Sequence, residues 1–243
     1  MNAGFFAIAA IRKTDVVTDL SYSLSFAVLA LVLPFSGAGE PAQLVASVLV
    51  LLWAARLGVY LFRRILRIKV DHRFDEMRDK PLRFARFWLL QAITVAVVML
   101  PVSYLLGRGD APGFGPWLIA GGSIWLVGLT IEAVADAQKS AFKAKQPEGE
   151  GFITTGLWRY SRHPNYFGEM LVWWGLFVFS VPFLQGAAFA VVLGPVFITL
   201  LLLFVSGIPL LERSADAKYG EDPAYREYKR RTSVLVPLPR RGR

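Results

Sequence analysis

The chain has 243 residues, of which 55% are hydrophobic, and a formal net charge of +9. It contains no cysteine, which excludes disulfides and thiolate catalysis, and only two histidines, His72 and His163, which argue against a histidine-rich metal site. In a soluble protein such a charge would point to nucleic acid, but in a membrane protein it is explained by topology. We therefore predict neither a metal nor a nucleic-acid partner.

Apolar blocks of the length that a helix needs to cross a bilayer follow one another along the chain. They predict six spans, at about 15–34, 41–63, 84–106, 115–138, 165–183 and 186–209. The apolar stretch 2–11 is too short to span and predicts a fragment lying on or dipping into the membrane, a partial seventh helix. The predicted fold is therefore an all-α, polytopic transmembrane helix bundle, a single domain over 1–243 with a polar tail over 213–243.

Basic residues alternate between the predicted loops. Of the 27 lysines and arginines, nine lie between Arg63 and Arg86, five between Lys139 and Arg162, and nine from Arg213 onward, whereas the loops 35–40 and 184–185 carry none. This pattern follows the positive-inside rule along the whole chain. It predicts an integral membrane protein with both termini, and the tail, in the cytoplasm.

Several predicted spans carry polar and charged residues on one helical face near the cytoplasmic end, with members at i, i+4 and i+7. The sets include Asp15, Asp19 and Tyr22; Arg56, Tyr60 and Arg63; Glu132, Asp136, Lys139 and Lys143; and Asn165 and Glu169. One interpretation is that these residues mark helix ends and snorkel to water. Short acidic side chains snorkel poorly, so stripes of both signs favour a lined polar cavity open to the cytoplasm.

The segment from Gly156 to Glu169, GLWRYSRHPNYFGE, joins the fourth and fifth predicted spans. Pro164 suits the first turn of a helix, where free N–H groups favour anions, and Arg162 and His163 crowd the same point. Asn165 and Glu169 lie one turn apart and would recognise an amide or a ribose hydroxyl. The alternative is that the arginines bind lipid headgroups.

This segment resembles the C-terminal signature of the steroid 5-alpha-reductase family, and more closely a bacterial branch long labelled only as a domain of unknown function. The resemblance runs over most of the chain and implies an integral protein of the bacterial inner membrane with its cofactor site facing the cytoplasm. Other segments that are similar to the family are Val59–Arg63, the Glu132-x-x-x-Asp136 stretch with Lys143, Ser206–Arg213, and Tyr225-x-x-Tyr228 with the ending Val-Leu-Val-Pro237.

The resemblance implies an NADPH-dependent membrane reductase that acts on the activated carbon–carbon double bond of an enone, such as a 3-oxo-Δ4 steroid. Asn165 and Glu169 would then hold the nicotinamide carboxamide, and Arg73 and Arg162 the phosphates. The other residues expected around the cofactor are Arg63, Asp71, Glu132, Asp136, Lys143, His163, Glu212, Arg213 and Tyr225. No Gly-x-Gly-x-x-Gly fingerprint occurs, so a Rossmann domain is not indicated.

Tyr60 is the candidate hydrogen-bond donor to the substrate carbonyl, because negative charge grows on the enone oxygen as hydride reaches the β-carbon. A tyrosine hydroxyl aimed at that oxygen would stabilise it, although an interfacial aromatic anchor is the alternative for Tyr60. Steroid-reducing members of the family carry a glutamate that aligns near Tyr22, where this chain has none. Asp19 or Tyr22 would have to replace it, so the substrate is left open to other flat, lipid-like enones.

Two further functions remain open at this stage. Membrane methyltransferases of the isoprenylcysteine carboxyl methyltransferase type resemble the same Arg-His-Pro region and use S-adenosylmethionine. A nonenzymatic lipid-binding protein is the third hypothesis. The tail would form a lid over the cofactor or a surface helix held by anionic lipids.

Overall fold

The computed structural model describes residues 16–37, 39–68, 81–109, 115–146 and 151–240, with the side chains of 16–19, 36, 67–68 and 81 left out. Every regular element within these ranges is a helix, which confirms the all-α class. The α-helices are α1 Val16–Val32, α2 Pro41–Ile68, α3 Pro81–Val98, α4 Leu100–Leu106, α5 Pro116–Lys145, α6 Pro164–Ser180, α7 Leu193–Leu200, α8 Ile208–Tyr219 and α9 Pro223–Arg231. The predicted N-terminal fragment lies outside the described residues.

Four helical segments of the described part are long and apolar enough to cross a membrane: Pro41–Leu66, Pro116–Lys145, Pro164–Phe183 and Gly186–Tyr219. The pair Leu82–Val98 and Leu100–Leu106, bent by 54°, would make a fifth. The described part of the predicted first span, Leu20–Phe35, is a shorter apolar helix. Exposed apolar side chains on these helices are consistent with contact with membrane lipids. The sixth span and the sidedness of the termini stay predictions.

The chain divides into two compact units, the first formed by residues 1–119 and 179–194 and the second by 120–178 and 195–243. In the first unit, α1 packs closely on α2. A Cβ built on Gly58 would lie 3.0 Å from Ser23 Oγ, and Phe26 meets Trp53 edge to face with both rings fully buried. Gln91 of α3 donates a 2.9 Å hydrogen bond to the buried Ser21 Oγ. This buried hydrogen bond thus joins α3 to α1.

The bend between α3 and α4 has a local cause. Pro101 stands in the first turn of α4, has no N–H to donate to the preceding turn, and so breaks the helical ladder. Gly194 fits into the bend, since a Cβ there would lie 2.9 Å from both Pro101 Cδ and the carbonyl oxygen of Val97. Ser180 Oγ donates to the carbonyl oxygen of Pro101 at 3.3 Å. The predicted continuous span 84–106 is therefore broken by its own proline.

In the second unit, α5 and α6 cross with their backbones in contact. A Cβ on Gly168 would lie 2.6 Å from the Glu132 backbone nitrogen, one on Gly128 would lie 2.7 Å from the Val172 nitrogen, and one on Gly175 would lie 2.6 Å from the Trp125 nitrogen. The contacts move backward along α5 as they move forward along α6, so the two helices are antiparallel. Only glycine permits this approach, and it fixes which turns of the two helices face each other.

Candidate functional site

The glycine crossing brings the acidic pair of α5 to the amino-terminal turns of α6. Gly168 lies against the backbone nitrogen and Cβ of Glu132. Because the helices are antiparallel, Asp136 and Asn165 each lie one turn farther toward the same end of the pair. Glu169 follows Gly168 directly in sequence. Four of the predicted site residues therefore gather around one helix crossing.

The burial of these groups is high for acidic and amide side chains. Glu132 and Asp136 are only 3% and 4% exposed, and Asn165 and Glu169 are partly buried. Within the described part of the chain, Asn165 Oδ1 is buried and accepts no hydrogen bond. A buried carbonyl oxygen without a donor costs about 1–3 kcal/mol. The crossing therefore holds an acceptor suited to an N–H donor supplied by a ligand.

The loop that precedes α6 is braced against α5. Trp158 Nε1 donates to the carbonyl oxygen of Ala135 at 3.0 Å, and the backbone nitrogen of Leu157 donates to Gln138 Oε1 at 2.9 Å. Lys139 Nζ lies 4.9 Å from the centroid of the Trp158 ring, a cation–π contact. Gly156 supplies the positive φ of 62° with which this turn begins. The buried Trp158 thus anchors the loop to α5.

Arg162 and His163 converge on Glu212 of α8. Arg162 Nη1 lies 2.6 Å from Glu212 Oε2, and His163 Nε2 lies 2.8 Å from Glu212 Oε1. Burial lowers the pKa of His163, and it outweighs the opposing attraction of Glu212. The imidazole is therefore neutral at pH 7 and donates its Nε2–H to the carboxylate. The predicted anion-binding arginine is occupied by a carboxylate of the protein itself.

The tail supplies a further cation to this network. Lys229 Nζ of α9 lies 3.1 Å from Glu212 Oε2 and 2.6 Å from Asp216 Oδ1. Burial would lower the pKa of Lys229, but the hydrogen bonds to Asp216 and Glu212 outweigh it and raise that pKa. Tyr225 OH donates to Asp216 Oδ1 at 3.1 Å, and its pKa is raised, first by burial and then by this bond. Helices α8 and α9 are therefore joined by charge.

The segment after α9 runs back along the Arg-His-Pro loop. The backbone nitrogen of Arg162 donates to the carbonyl oxygen of Ser233 at 2.8 Å, and the backbone nitrogen of Leu238 donates to the carbonyl oxygen of Tyr160 at 3.2 Å. Ser161 Oγ donates to the carbonyl oxygen of Leu235 at 2.6 Å and accepts from the His163 nitrogen at 3.1 Å. The tail is thus part of the scaffold that positions His163.

Other predicted site residues fall elsewhere. In the first unit, Tyr60 is partly buried with the Arg56 guanidinium 5.9 Å from its ring, Tyr22 packs edge to face on Phe26 at 5.1 Å, and Arg63 is exposed. In the second unit, Lys143 and Arg213 are exposed. Asp71 and Arg73, and the side chain of Asp19, lie outside the described residues.

Several residues of the site were not predicted from the sequence. The most central are Ser161 and Lys229, which tie the tail to the Arg-His-Pro loop, and Trp158 of that loop, which donates a hydrogen bond to α5. A signal existed for Lys229, because it stands four residues after Tyr225 and shares its helical face. Ser161 and Trp158 belong to the dense motif, but their backbone partners are distant in sequence, and no spacing rule reveals them.

Comparison with known proteins places this site in a family. The chain is 26% identical over 218 residues to an uncharacterized protein of Schizosaccharomyces pombe, covering 76% of this chain and 60% of the relative. It is 35% identical over 89 residues to methanethiol S-methyltransferase 1 of Bradyrhizobium diazoefficiens, covering 37% of this chain and 27% of that enzyme. It thus spans less than two thirds of either relative.

No solved structure matches the chain. A family model described as "Protein of unknown function (DUF1295)" matches residues 5–232, a range that contains the α5–α6 crossing, the Arg-His-Pro loop and both tail helices. The chain belongs to this family.

Proposed function

We propose that this protein is an NADPH-dependent membrane reductase acting on the activated carbon–carbon double bond of a lipid-like enone. The observation that carries the proposal is the buried Asn165 Oδ1, which accepts no hydrogen bond among the described residues. A nicotinamide carboxamide presents an NH2 donor that would satisfy this acceptor. The family to which the chain belongs is related to the steroid 5-alpha-reductase-like membrane proteins, which supports the same activity.

In this proposal the α5–α6 crossing holds the nicotinamide end of the cofactor. Asn165 and Glu169 would orient the carboxamide, while the buried Glu132 and Asp136 would accept from hydroxyl or amide donors beside it. When bound, NADPH would supply a hydride for the β-carbon of the enone. The low exposure of the acidic pair excludes water, which strengthens each of these hydrogen bonds.

The Arg-His-Pro loop would keep this geometry fixed. Because Arg162, His163 and Lys229 all contact Glu212, the amino-terminal turn of α6 is tied to α8 and α9. The Glu212 carboxylate also offsets the charge of Arg162. The Arg162 guanidinium would therefore bind a cofactor phosphate only in competition with Glu212. We therefore assign Arg162 and His163 to positioning α6 first and to phosphate contact second.

Tyr60 is proposed as the donor to the enone carbonyl oxygen. Its ring lies near the Arg56 guanidinium. A positive charge there would help the Tyr60 hydroxyl, as a hydrogen-bond donor, to stabilise a developing oxyanion. Tyr22 or Asp19 would hold the far side of the ketone, in place of the family glutamate. These assignments rest on the resemblance and on the position of Tyr60 in α2.

A methyltransferase that uses S-adenosylmethionine is the second candidate. It is favoured by the similarity to methanethiol S-methyltransferase 1, which covers 37% of this chain. Two buried carboxylates would also suit a ligand that carries a sulfonium and an ammonium group. The two candidates differ in the cofactor, so direct binding separates them before any substrate is known. A nonenzymatic lipid-binding protein would bind neither.

The test is heat stability of the detergent-purified full-length protein titrated with NADPH, NADH and S-adenosylmethionine. Wild type is compared with Asn165→Ala and with Gln185→Ala, which removes an exposed amide as a matched control. A ligand bound only by the folded state adds about 2.7 kcal/mol at a hundredfold excess over its Kd. We expect NADPH to stabilise wild type and Gln185→Ala, and Asn165→Ala to lose most of that shift.

Stabilisation by S-adenosylmethionine with none by either nicotinamide cofactor would replace the reductase with the methyltransferase. No shift with any of the three would leave the lipid-binding hypothesis. An NADPH shift that is equal in wild type and Asn165→Ala would keep the cofactor but reject its assignment to the α5–α6 crossing.

A further inference from the structure

A cleft of about 350 Å³ opens in the second unit between the loop after α5 and the last helix. Phe152 and Thr154 line it from the loop. Ala224, Tyr228 and Arg231 line it from α9, and their spacing of four and three residues puts them on one face of that helix. Its volume lies within the range of sites that hold small organic ligands.

The walls of the cleft combine fixed cations with aromatic surface. Arg231 and Arg240 line it together with Glu227. Arg230, on the same helix, bonds Glu227 Oε2 through Nη2 at 2.6 Å and Nε at 2.9 Å, and Arg231 Nε lies 3.5 Å from Glu227 Oε1. The single carboxylate of the cleft is therefore shared by two arginines. Arg240 Nε donates to the carbonyl oxygen of Arg159 at 3.3 Å, which holds the Arg240 guanidinium at the rim. The local field is therefore positive.

The aromatic side of the cleft is rigid. Phe152 packs against Tyr219, Tyr225 and Tyr228 with ring centroids 5.1 to 5.7 Å apart. Tyr228 OH donates to the carbonyl oxygen of Trp158 at 2.8 Å, and burial raises the Tyr228 pKa, so the ring stays neutral and anchored. A cleft with such walls is held open by packing rather than by side chains that would fold into it.

We propose that this cleft binds a small organic phosphate, with Arg231 and Arg240 on the phosphate group and the Phe152–Tyr228 wall against its organic part. Guanidinium groups match phosphate oxygens through paired, charge-assisted hydrogen bonds. Thr154 adds a hydroxyl to the same cleft. The phosphate would come from a free nucleotide or from a phospholipid headgroup. The inference stands on the cleft alone and does not depend on the proposed reductase.

The experiment uses the full-length protein in phosphatidylcholine nanodiscs. In one arm adenosine 5′-monophosphate is titrated, and in the other the discs contain increasing phosphatidylglycerol; melting temperature is followed in both. The test variant is Arg231→Gln with Arg240→Gln. The control variant, Arg226→Gln with Lys145→Gln, removes the same charge from exposed positions that do not line the cleft.

We expect one probe to stabilise wild type and the control alike, with the apparent affinity at least tenfold weaker in the test variant. The arm that responds identifies the source of the phosphate. Failure of both probes to stabilise wild type, or equal affinity in wild type and test variant, would overturn the proposal.

If the test variant does not fold, Ala224→Leu replaces it, because a leucine at this exposed position fills the cleft and leaves both arginines in place. It is expected to weaken binding to the same extent, and wild-type affinity in Ala224→Leu would equally overturn the proposal. NADPH stabilisation of the Ala224→Leu variant, measured in parallel, keeps the fate of the reductase separate from that of the cleft.

Discussion

The two units of the molecule differ in the forces that stabilise each of them internally. The first unit relies on apolar packing, with isolated polar contacts such as Gln91 to Ser21 and Gln43 to the carbonyl oxygens of Leu105 and Arg108. The second unit carries a continuous network in which Arg162, His163 and Lys229 share Glu212. The Gln91 and Gln43 contacts each link two segments of the first unit, whereas the network in the second fixes a loop, two tail helices and the start of α6.

This difference indicates where each unit tolerates change. A unit held by apolar contacts in a bilayer keeps its fold when a single hydroxyl is lost, so a polar residue there is expected to matter for chemistry. A shared network loses several contacts when one member is removed, so its residues are expected to matter for stability as well. The following four predictions test that contrast.

The largest effect is expected from Tyr60→Phe in the first unit. Under the proposed function, losing a donor to the enone oxygen lowers kcat by about 10²–10³-fold, with little change in melting temperature. The measurement is NADPH oxidation with a 3-oxo-Δ4 steroid. Tyr104→Phe is the matched control, because Tyr104 also lies beside an arginine, Arg108, at 5.7 Å. Equal activity in the two variants would reject the role of Tyr60.

In the second unit, Glu212→Gln removes the shared carboxylate and leaves Arg162 and Lys229 without it. Glu212 is 20% exposed, so we expect a loss of about 2–3 kcal/mol in the free energy of unfolding, below the range for fully buried pairs. Chemical denaturation measures it. Glu221→Gln is the control, since Glu221 is fully exposed and 4.0 Å from its partner Arg226, and it should be silent. A silent Glu212→Gln would mean that the network is not cooperative.

Gly168→Ala tests the helix crossing that positions the acidic pair. Its Cβ would lie 2.6 Å from the Glu132 nitrogen, so α5 and α6 must move apart, at about 1–3 kcal/mol. Gly122→Ala on the same helix pair is the control, because no described atom lies within 4 Å of the new Cβ, and helix propensity predicts a gain of up to about 1 kcal/mol. Equal melting temperatures for the two variants would contradict the close crossing.

The smallest effect concerns pH. Burial lowers the pKa of His163 below its unfolded value, so the unfolded chain binds the proton first as pH falls. The free energy of unfolding should therefore decrease below about pH 6.5, by no more than about 1.4 kcal/mol per pH unit, until the folded pKa is passed. His163→Gln should flatten this dependence in paired denaturation series. A steeper loss in the variant would show that attraction to Glu212 outweighs burial.

The helical class and most span positions were predictable from sequence, because block length and hydropathy act locally. The bend at Pro101 was also inherent in the sequence, although the prediction of one continuous span over 84–106 did not include it. The Arg-His-Pro motif was also predictable, because its polar residues are close together in sequence. The motif does not specify its protein partner, and only the structure shows that Arg162 contacts Glu212.

The sequence by itself determined the apolar helices, the placement of basic loops and the residues able to do chemistry, since each depends on composition over one or a few turns. Tertiary structure alone decided that Gly168 sets Glu132 beside α6, that Glu212 engages Arg162, and that the tail lies along Ser161. These contacts join residues 36 to 74 positions apart. No local pattern encodes them, because they form only when whole helices pack and buried polar groups must find partners.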